Sequence, residues 1–144
     1  MAGFLGRHLH QLDPKGRVSL PVRFRRGRES SSFVLVHVLP DCLSLFPDDE
    51  WMLLESEIRE YARLQPDDRH QVLRITSNAV EVAPDKQGRI LIPERMRRAI
   101  GLGTEAELVG AGNKIEIWEP GRLAAAMEGE YEKTFQQHMT KLFV

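Results

Sequence analysis

Residues 6–12, "GRHLHQL", set apolar side chains among polar ones at short intervals and predict a strand. "DPKG" at 13–16 offers proline at the second turn position and glycine at the fourth, which predicts a tight hairpin turn with "RVSL" at 17–20 returning as the second strand. Pro21 suits the first turn of a short helix, "PVRFRRGR" at 21–28, because its missing N–H would be unpaired there anyway. A loop is expected over 27–32, then two apolar strands, "FVLVHVL" at 33–39 and "CLSLF" at 42–46. From Pro47 the period becomes helical, with Trp51, Leu54, Ile58 and Tyr61 on one stripe and acids opposite. Gln65 and Pro66 end that helix, and "DDRHQVLRITSN" at 67–78 predicts another. The order then recurs: "AVEVAP" at 79–84, a turn "DKQG" at 85–88, "RILI" at 89–92, a helix "PERMRRAI" at 93–100 closed by Gly101, and a hairpin of "AELVGAG" and "KIEIW". A last helix is expected from Pro120 into the 130s.

The recurrence has a register. At an offset of 72, Asp13 falls on Asp85, Gly16 on Gly88, Arg17 on Arg89 and Pro21 on Pro93, while Arg23, Arg25 and Arg26 fall on Arg95, Arg97 and Arg98. The same offset pairs Leu43 with Ile115, Leu45 with Ile117 and Phe46 with Trp118. A register kept that far indicates duplication, with units at 3–77 and 78–144 that are each too small to bury a good core alone. The expected class is α+β, two units of short strands interlocked around one shared core.

Composition alters this picture little: 144 residues, 42% hydrophobic and 28% charged, suit one compact body. The single cysteine, Cys42, excludes an internal disulfide and fits a reducing cytoplasm. The opening residues lack the unbroken apolar core of a signal peptide, and no run reaches transmembrane length, so no membrane partner is expected. Charge is more informative. The net value is −1, yet residues 7–28 carry seven basic side chains against Asp13, and residues 85–98 carry five against Asp85 and Glu94. Positive charge is thus concentrated in the repeated motif and negative charge between its copies, a segregation that marks a nucleic-acid face.

Turn chemistry accounts for Asp13 and Asp85, whose carboxylates can cap backbone N–H groups two residues on. It does not account for Arg17 and Arg89, since a turn needs no guanidinium whereas a phosphate or a guanine edge does. Lys15 and Lys86 stand on protruding turns, and Arg23, Arg25 and Arg95 on the short helices divide between contact with nucleic acid and solvated surface. The candidate DNA-binding set is therefore Asp13, Lys15, Arg17, Arg23, Arg25, Asp85, Lys86, Arg89 and Arg95. Elsewhere, His8 and His10 lack a third metal ligand, Cys42 near His37 resembles a small buried side chain more than a nucleophile, and Gly101–Thr104 lacks the lysine of a phosphate loop. No carboxylate pair or cofactor fingerprint stands out, so no enzyme, cofactor, metal or small-molecule substrate is expected.

Phe4, Gly6, Leu12, Asp13, Lys15, Gly16, Arg17 and Pro21, then "CLSLFPDDEW", "DKQGRILIP" and "LVGAGNKIEIW", form an ordered set that resembles the MraZ family, regulators associated with the bacterial division and cell-wall gene cluster. Met1 and Ala2 precede the start usual in that family, and after about residue 130 the sequence motifs give no match. The resemblance implies tandem AbrB-like swapped-hairpin units forming one pseudo-twofold, β-barrel-like core with flanking helices. It implies the aspartate-x-x-x-arginine motif as the DNA-binding signature, kept here as Asp13 with Arg17 and Asp85 with Arg89. It further implies ring-shaped homo-oligomers on double-stranded promoter repeats of its own operon, in the cytoplasm at the nucleoid. Three other classes stand beside this one: an oligomeric scaffold without specific DNA binding, an antitoxin-type unit, which the helical pattern of the tail weakens, and, last, a hydrolase.

Overall fold

The computed structural model describes residues 3–28, 32–128 and 130–144, with backbone alone at 130, 131 and 133. Part of the loop expected at 27–32 therefore lies outside the described residues. The first copy runs β1 (Arg7–Gln11), β2 (Arg17–Ser19), α1 (Val22–Arg25), β3 (Phe33–Val36), β4 (Cys42–Pro47) and α2 (Asp48–Leu64). A single 3₁₀ turn (Pro66–Asp68) and α3 (Arg69–Thr76) lead to β5 (Val80–Val82), β6 (Arg89–Leu91), α4 (Glu94–Ala99), β7 (Glu105–Gly110), β8 (Ile115–Trp118), α5 (Pro120–Ala126) and α6 (Glu130–Phe143).

The order is the expected one, but several bounds are shorter. α1 keeps four residues of the eight expected, because Arg26 turns extended (ψ 126°) and Gly27 takes a positive φ of 75°. β3 stops at Val36 with the end of its pairing to β4, leaving Val38 and Leu39 exposed before Pro40. The helix expected at 67–78 begins as the 3₁₀ turn, with Pro66 at its first position. The single last helix expected from Pro120 is two, α5 and α6. Gly129, a weak helix former, lies between them in the sequence.

The largest correction concerns the hairpins. β1 and β2 do not pair with each other, although the turn between them closes with Asp13 N–H donating to the Arg17 carbonyl at 2.9 Å. Instead β1 pairs with β7, β5 pairs with β3, and β2 pairs with β6, all antiparallel, so each copy lends its first two strands to the other. The main sheet reads β1-β7-β8-β4-β3-β5. This order is palindromic under the repeat, with a pseudo-twofold axis between β4 and β8, where Leu43 faces Ile117 and Leu45 faces Ile115. Its end strands β1 and β5 are not paired with each other, so the sheet is open rather than a closed barrel. One slip interrupts the constant offset: Phe33 faces Val82 as Ala106 faces His10, so the third strands match at 73, the second copy's next connection being a residue shorter.

Both copies feed one core. Val18, Leu20, Ile90 and Ile92 come from β2, β6 and the residues that follow them, and Phe24 and Met96 from the short helices. Leu35, Leu43, Leu45, Leu108, Ile115 and Ile117 come from the main sheet. Every residue of β4 is buried, because its second face is covered by the start of α2, where the Phe46 and Trp51 rings lie 5.9 Å apart. On α2, Trp51, Leu54 and Ile58 are half-buried as the stripe predicted, whereas Tyr61 is exposed. The outer face is not purely acidic, since Met52, Leu53 and Leu64 are exposed as well.

Candidate nucleic-acid interface

Each repeated turn is built by its aspartate. Gly16 N–H donates to the Asp13 carbonyl at 2.9 Å with Gly16 at a φ of 89°, a conformation open to glycine without strain. Asp13 Oδ1 accepts the backbone N–H groups of Lys15 (2.9 Å) and Arg17 (2.8 Å), and its Oδ2 accepts Arg17 Nε at 2.6 Å. The second turn repeats this: Asp85 Oδ1 accepts Gln87 and Arg89 N–H, both at 2.9 Å, and Oδ2 accepts Arg89 Nε at 3.0 Å. Arg89 Nη1 also lies 3.7 Å from Asp13 Oδ2, which links the two turns' charges. In each arginine the Nε edge is held by the aspartate, which fixes the plane of the fork; this leaves the Nη groups of Arg17 and Nη2 of Arg89 for a guanine edge or a phosphate, Arg89 Nη1 being turned towards Asp13.

The backbone N–H of Arg17, followed by its guanidinium and the N–H of Lys15, outweighs partial desolvation and holds the Asp13 carboxyl down from 3.8 to about 2. The backbone N–H of Arg89 lowers Asp85 in the same direction. A folded-state value below the ordinary one means that the carboxylate's support is complete above about 4 and is lost as pH falls towards about 2. The amide proton shifts of Lys15 and Arg17 are therefore expected to titrate with a midpoint near 2, and Asp13→Asn to abolish that titration. A midpoint at the ordinary carboxylate value would mean that the cap does not persist in solution.

The two-stranded β2–β6 ribbon turns these arginines the same way. Arg17 stands opposite Leu91 and Ser19 opposite Arg89, while the middle pair, Val18 and Ile90, is fully buried. Alternation then puts Arg17 and Arg89 on the outer face, diagonal to one another. Ile92 N–H donates to the Gly16 carbonyl (3.0 Å) and Leu20 N–H to the Gly88 carbonyl (2.9 Å), so the ribbon ends against the two turns. Four residue steps separate those ends, about 13 Å at ~3.3 Å per residue. Lys15 and Lys86 are exposed on the turns but are not equivalent, since at the repeat offset Lys15 falls on Gln87.

The helix arginines go elsewhere. Arg23 is exposed on α1 near Gly6, and the exposed Arg95 on α4 donates to Asn78 Oδ1 at 3.0 Å. Arg25 is half-buried and turned back to the Leu20 carbonyl (2.9 Å). Its counterpart Arg97, absent from the sequence-based set, makes the same bond to the Ile92 carbonyl (2.9 Å), and the repeat offset was the signal that could have found it. Arg28 pairs with Asp49 at 3.0 Å and lies over the Phe4 ring, its carbon 5.4 Å from the centroid. Among the described residues no group of three metal-capable side chains exists; His8 stacks edge-on against Phe24 at 5.2 Å. Cys42 is buried in β4, and burial, then the nearby Glu116, pushes its thiol up to about 12.

Among the described residues no helix is long and apolar enough to cross a membrane. The family model described as "MraZ protein, putative antitoxin-like" matches residues 4–74 and again 75–143, further than the motifs alone reach. A protein named transcriptional regulator MraZ from Pelotomaculum thermopropionicum is 43% identical over 115 residues, 80% of this chain and 79% of its own. One of the same name from Desulfitobacterium hafniense is 41% identical over 80% of both chains. Another, from Thermomicrobium roseum, is 38% identical over 87% of both.

Proposed function

The chain belongs to the MraZ family, and on that premise we propose that it is a sequence-specific double-stranded DNA-binding regulator of transcription, made of one unit at 3–77 and one at 78–144. The observation that carries the reading is the outward face of the β2–β6 ribbon, where Arg17 and Arg89 are each held at Nε by their own aspartate. A major groove about 12 Å wide admits a two-stranded ribbon of this kind. Arg17 and Arg89 read base edges, Asp13 and Asp85 hold them at the reading angle, and Lys15, Lys86, Arg23 and Arg95 meet phosphates on either side. One subunit offers few such contacts, so affinity comes from a ring homo-oligomer on promoter repeats of its own operon, in the cytoplasm at the nucleoid. Exposed Met52, Leu53 and Leu64 on α2, and Phe135, Leu142 and Phe143 on α6, support burial of these helices between subunits.

A gel shift on the DNA upstream of the chain's own gene tests this reading, with a scrambled competitor and a second operator carrying half a helical turn, about 5 base pairs, between repeats. The expected result is a complex that survives the competitor and is weakened by the insertion; equal displacement by specific and scrambled DNA would overturn the reading. Salt gives a further expectation. Four phosphate contacts in each subunit imply a log–log slope of about −3.6 per subunit engaged, so affinity should fall at least about 150-fold between about 50 and 200 mM salt. A flat response would remove the phosphate roles given to Lys15, Lys86, Arg23 and Arg95.

A further inference from the structure

We propose that Arg25 and Arg97 are positioning residues that brace each turn from the opposite copy, so that the two DNA-reading arginines of one chain are set by each other's unit. The guanidinium of Arg25 lies against Gly88 of the second turn, where an added Cβ would stand 2.5 Å from its Cζ and 2.6 Å from its Nε. Arg97 lies in the same way against Gly16 of the first turn, with an added Cβ 2.6 Å from both Cζ and Nε. Each flat fork thus fills the place that a side chain would take on a buried glycine of positive φ.

The hydrogen bonds run across the same junction. Leu20 donates its N–H to Gly88 (2.9 Å) and accepts Arg25 Nε on its carbonyl (2.9 Å). Ile92 donates to Gly16 (3.0 Å) and accepts Arg97 Nε (2.9 Å). One arginine therefore holds both the residue that bonds the opposite turn and the glycine that shapes it. Among the described residues neither arginine has a carboxylate partner within 4.0 Å, so shape and N–H direction, rather than ion pairing, account for the contact. Lysine, a point charge on a round head, cannot replace a planar fork lying on a glycine. The consequence is crossed: losing Arg25 loosens residues 85–88 and so frees Arg89, and losing Arg97 loosens residues 13–16 and so frees Arg17. This last step rests on the reading of the ribbon as the DNA face.

Amide hydrogen exchange of the full chain, followed by NMR without DNA, tests the bracing independently of that reading. In Arg25→Ala the Gln87 and Arg89 amides are expected to exchange at least about tenfold faster while Lys15 and Arg17 stay within about twofold, and Arg97→Ala should give the mirror image. Arg25→Lys keeps the charge and the aliphatic stem, and is expected to show the same crossed pattern; it also carries the test if the alanine variant does not fold. Faster exchange in the same-copy turn, equal loss in both turns, or full rescue by lysine would overturn the proposal. On promoter DNA both alanine variants should bind more weakly with an unchanged salt slope, whereas loss of a phosphate contact would lower the slope by about 0.9. A lowered slope with unaltered exchange would assign these arginines to phosphate contact instead.

Discussion

Replacing Arg17 and Arg89 together by alanine is expected to abolish specific DNA binding while leaving the fold in place. Both arginines stand on the outward face of the ribbon, and the buried residues beside them, Val18 and Ile90, are untouched by the change. The turns keep their own closure, because Asp13 and Asp85 still accept the backbone N–H groups of residues 15, 17, 87 and 89. A bidentate arginine–guanine pair contributes about 1–3 kcal/mol of discrimination. Each substitution should therefore weaken a single contact on the order of 10- to 100-fold, and the loss multiplies with every subunit engaged. Thermal unfolding should stay close to that of the wild type. Binding isotherms on specific and scrambled DNA, measured at one salt concentration, check both parts. If the double variant keeps wild-type preference for its promoter, the ribbon is not the reading surface.

The second large effect concerns stability. Ile90→Ala removes a fully buried side chain that stands opposite the fully buried Val18, at the centre of the ribbon that joins the copies. Truncations of this kind cost about 2–5 kcal/mol. That is a large share of the 5–15 kcal/mol, roughly, that a domain has in total. Because the cavity opens in a core fed by both copies, the loss should be felt by the whole chain. Trp51 stands against Phe46 in the first copy, and Trp118 lies in β8 of the second with its Nε1 donating to Glu116 at 3.0 Å. In single-tryptophan backgrounds, urea transitions reported by Trp51 and by Trp118 should coincide in the wild type and move together in Ile90→Ala. A shift confined to Trp118 would show that the copies unfold separately and that the swap does not couple them.

Much of the motif was legible in the chain because its chemistry is local. An aspartate four residues before an arginine, with glycine between them, closes a turn through contacts that span at most four residues, so Asp13–Arg17 and Asp85–Arg89 were readable as turns in advance. The directions of the helix arginines were not readable in this way. Arg25 and Arg23 differ by two residues on one short helix, yet one is half-buried against the opposite copy and the other is exposed beside Gly6. No local rule separates them, since the groups that distinguish them, Gly88 and Gly6, are distant in sequence.

By itself, then, the sequence determined the duplication, the order of the elements, the two turns and the concentration of positive charge around them, all of which follow from neighbours within a few residues or from simple self-comparison. The family resemblance implied swapped hairpins, but no local rule in the chain says which strands pair, and the tertiary structure decided it. The turn at 13–16 closes as its residues dictate, but β2 is three residues long, and its inward Val18 is buried against Ile90 rather than against β1. A short strand gains little from a hairpin partner and much from a core, so burial of Val18, Leu20, Ile90 and Ile92 overrides local pairing and exchanges strands between the copies. That exchange puts Arg17 and Arg89 diagonal to one another on one outward face and sets Arg25 and Arg97 behind the opposite turns, because residues 63 to 81 positions apart in sequence become neighbours only when the two copies share a core.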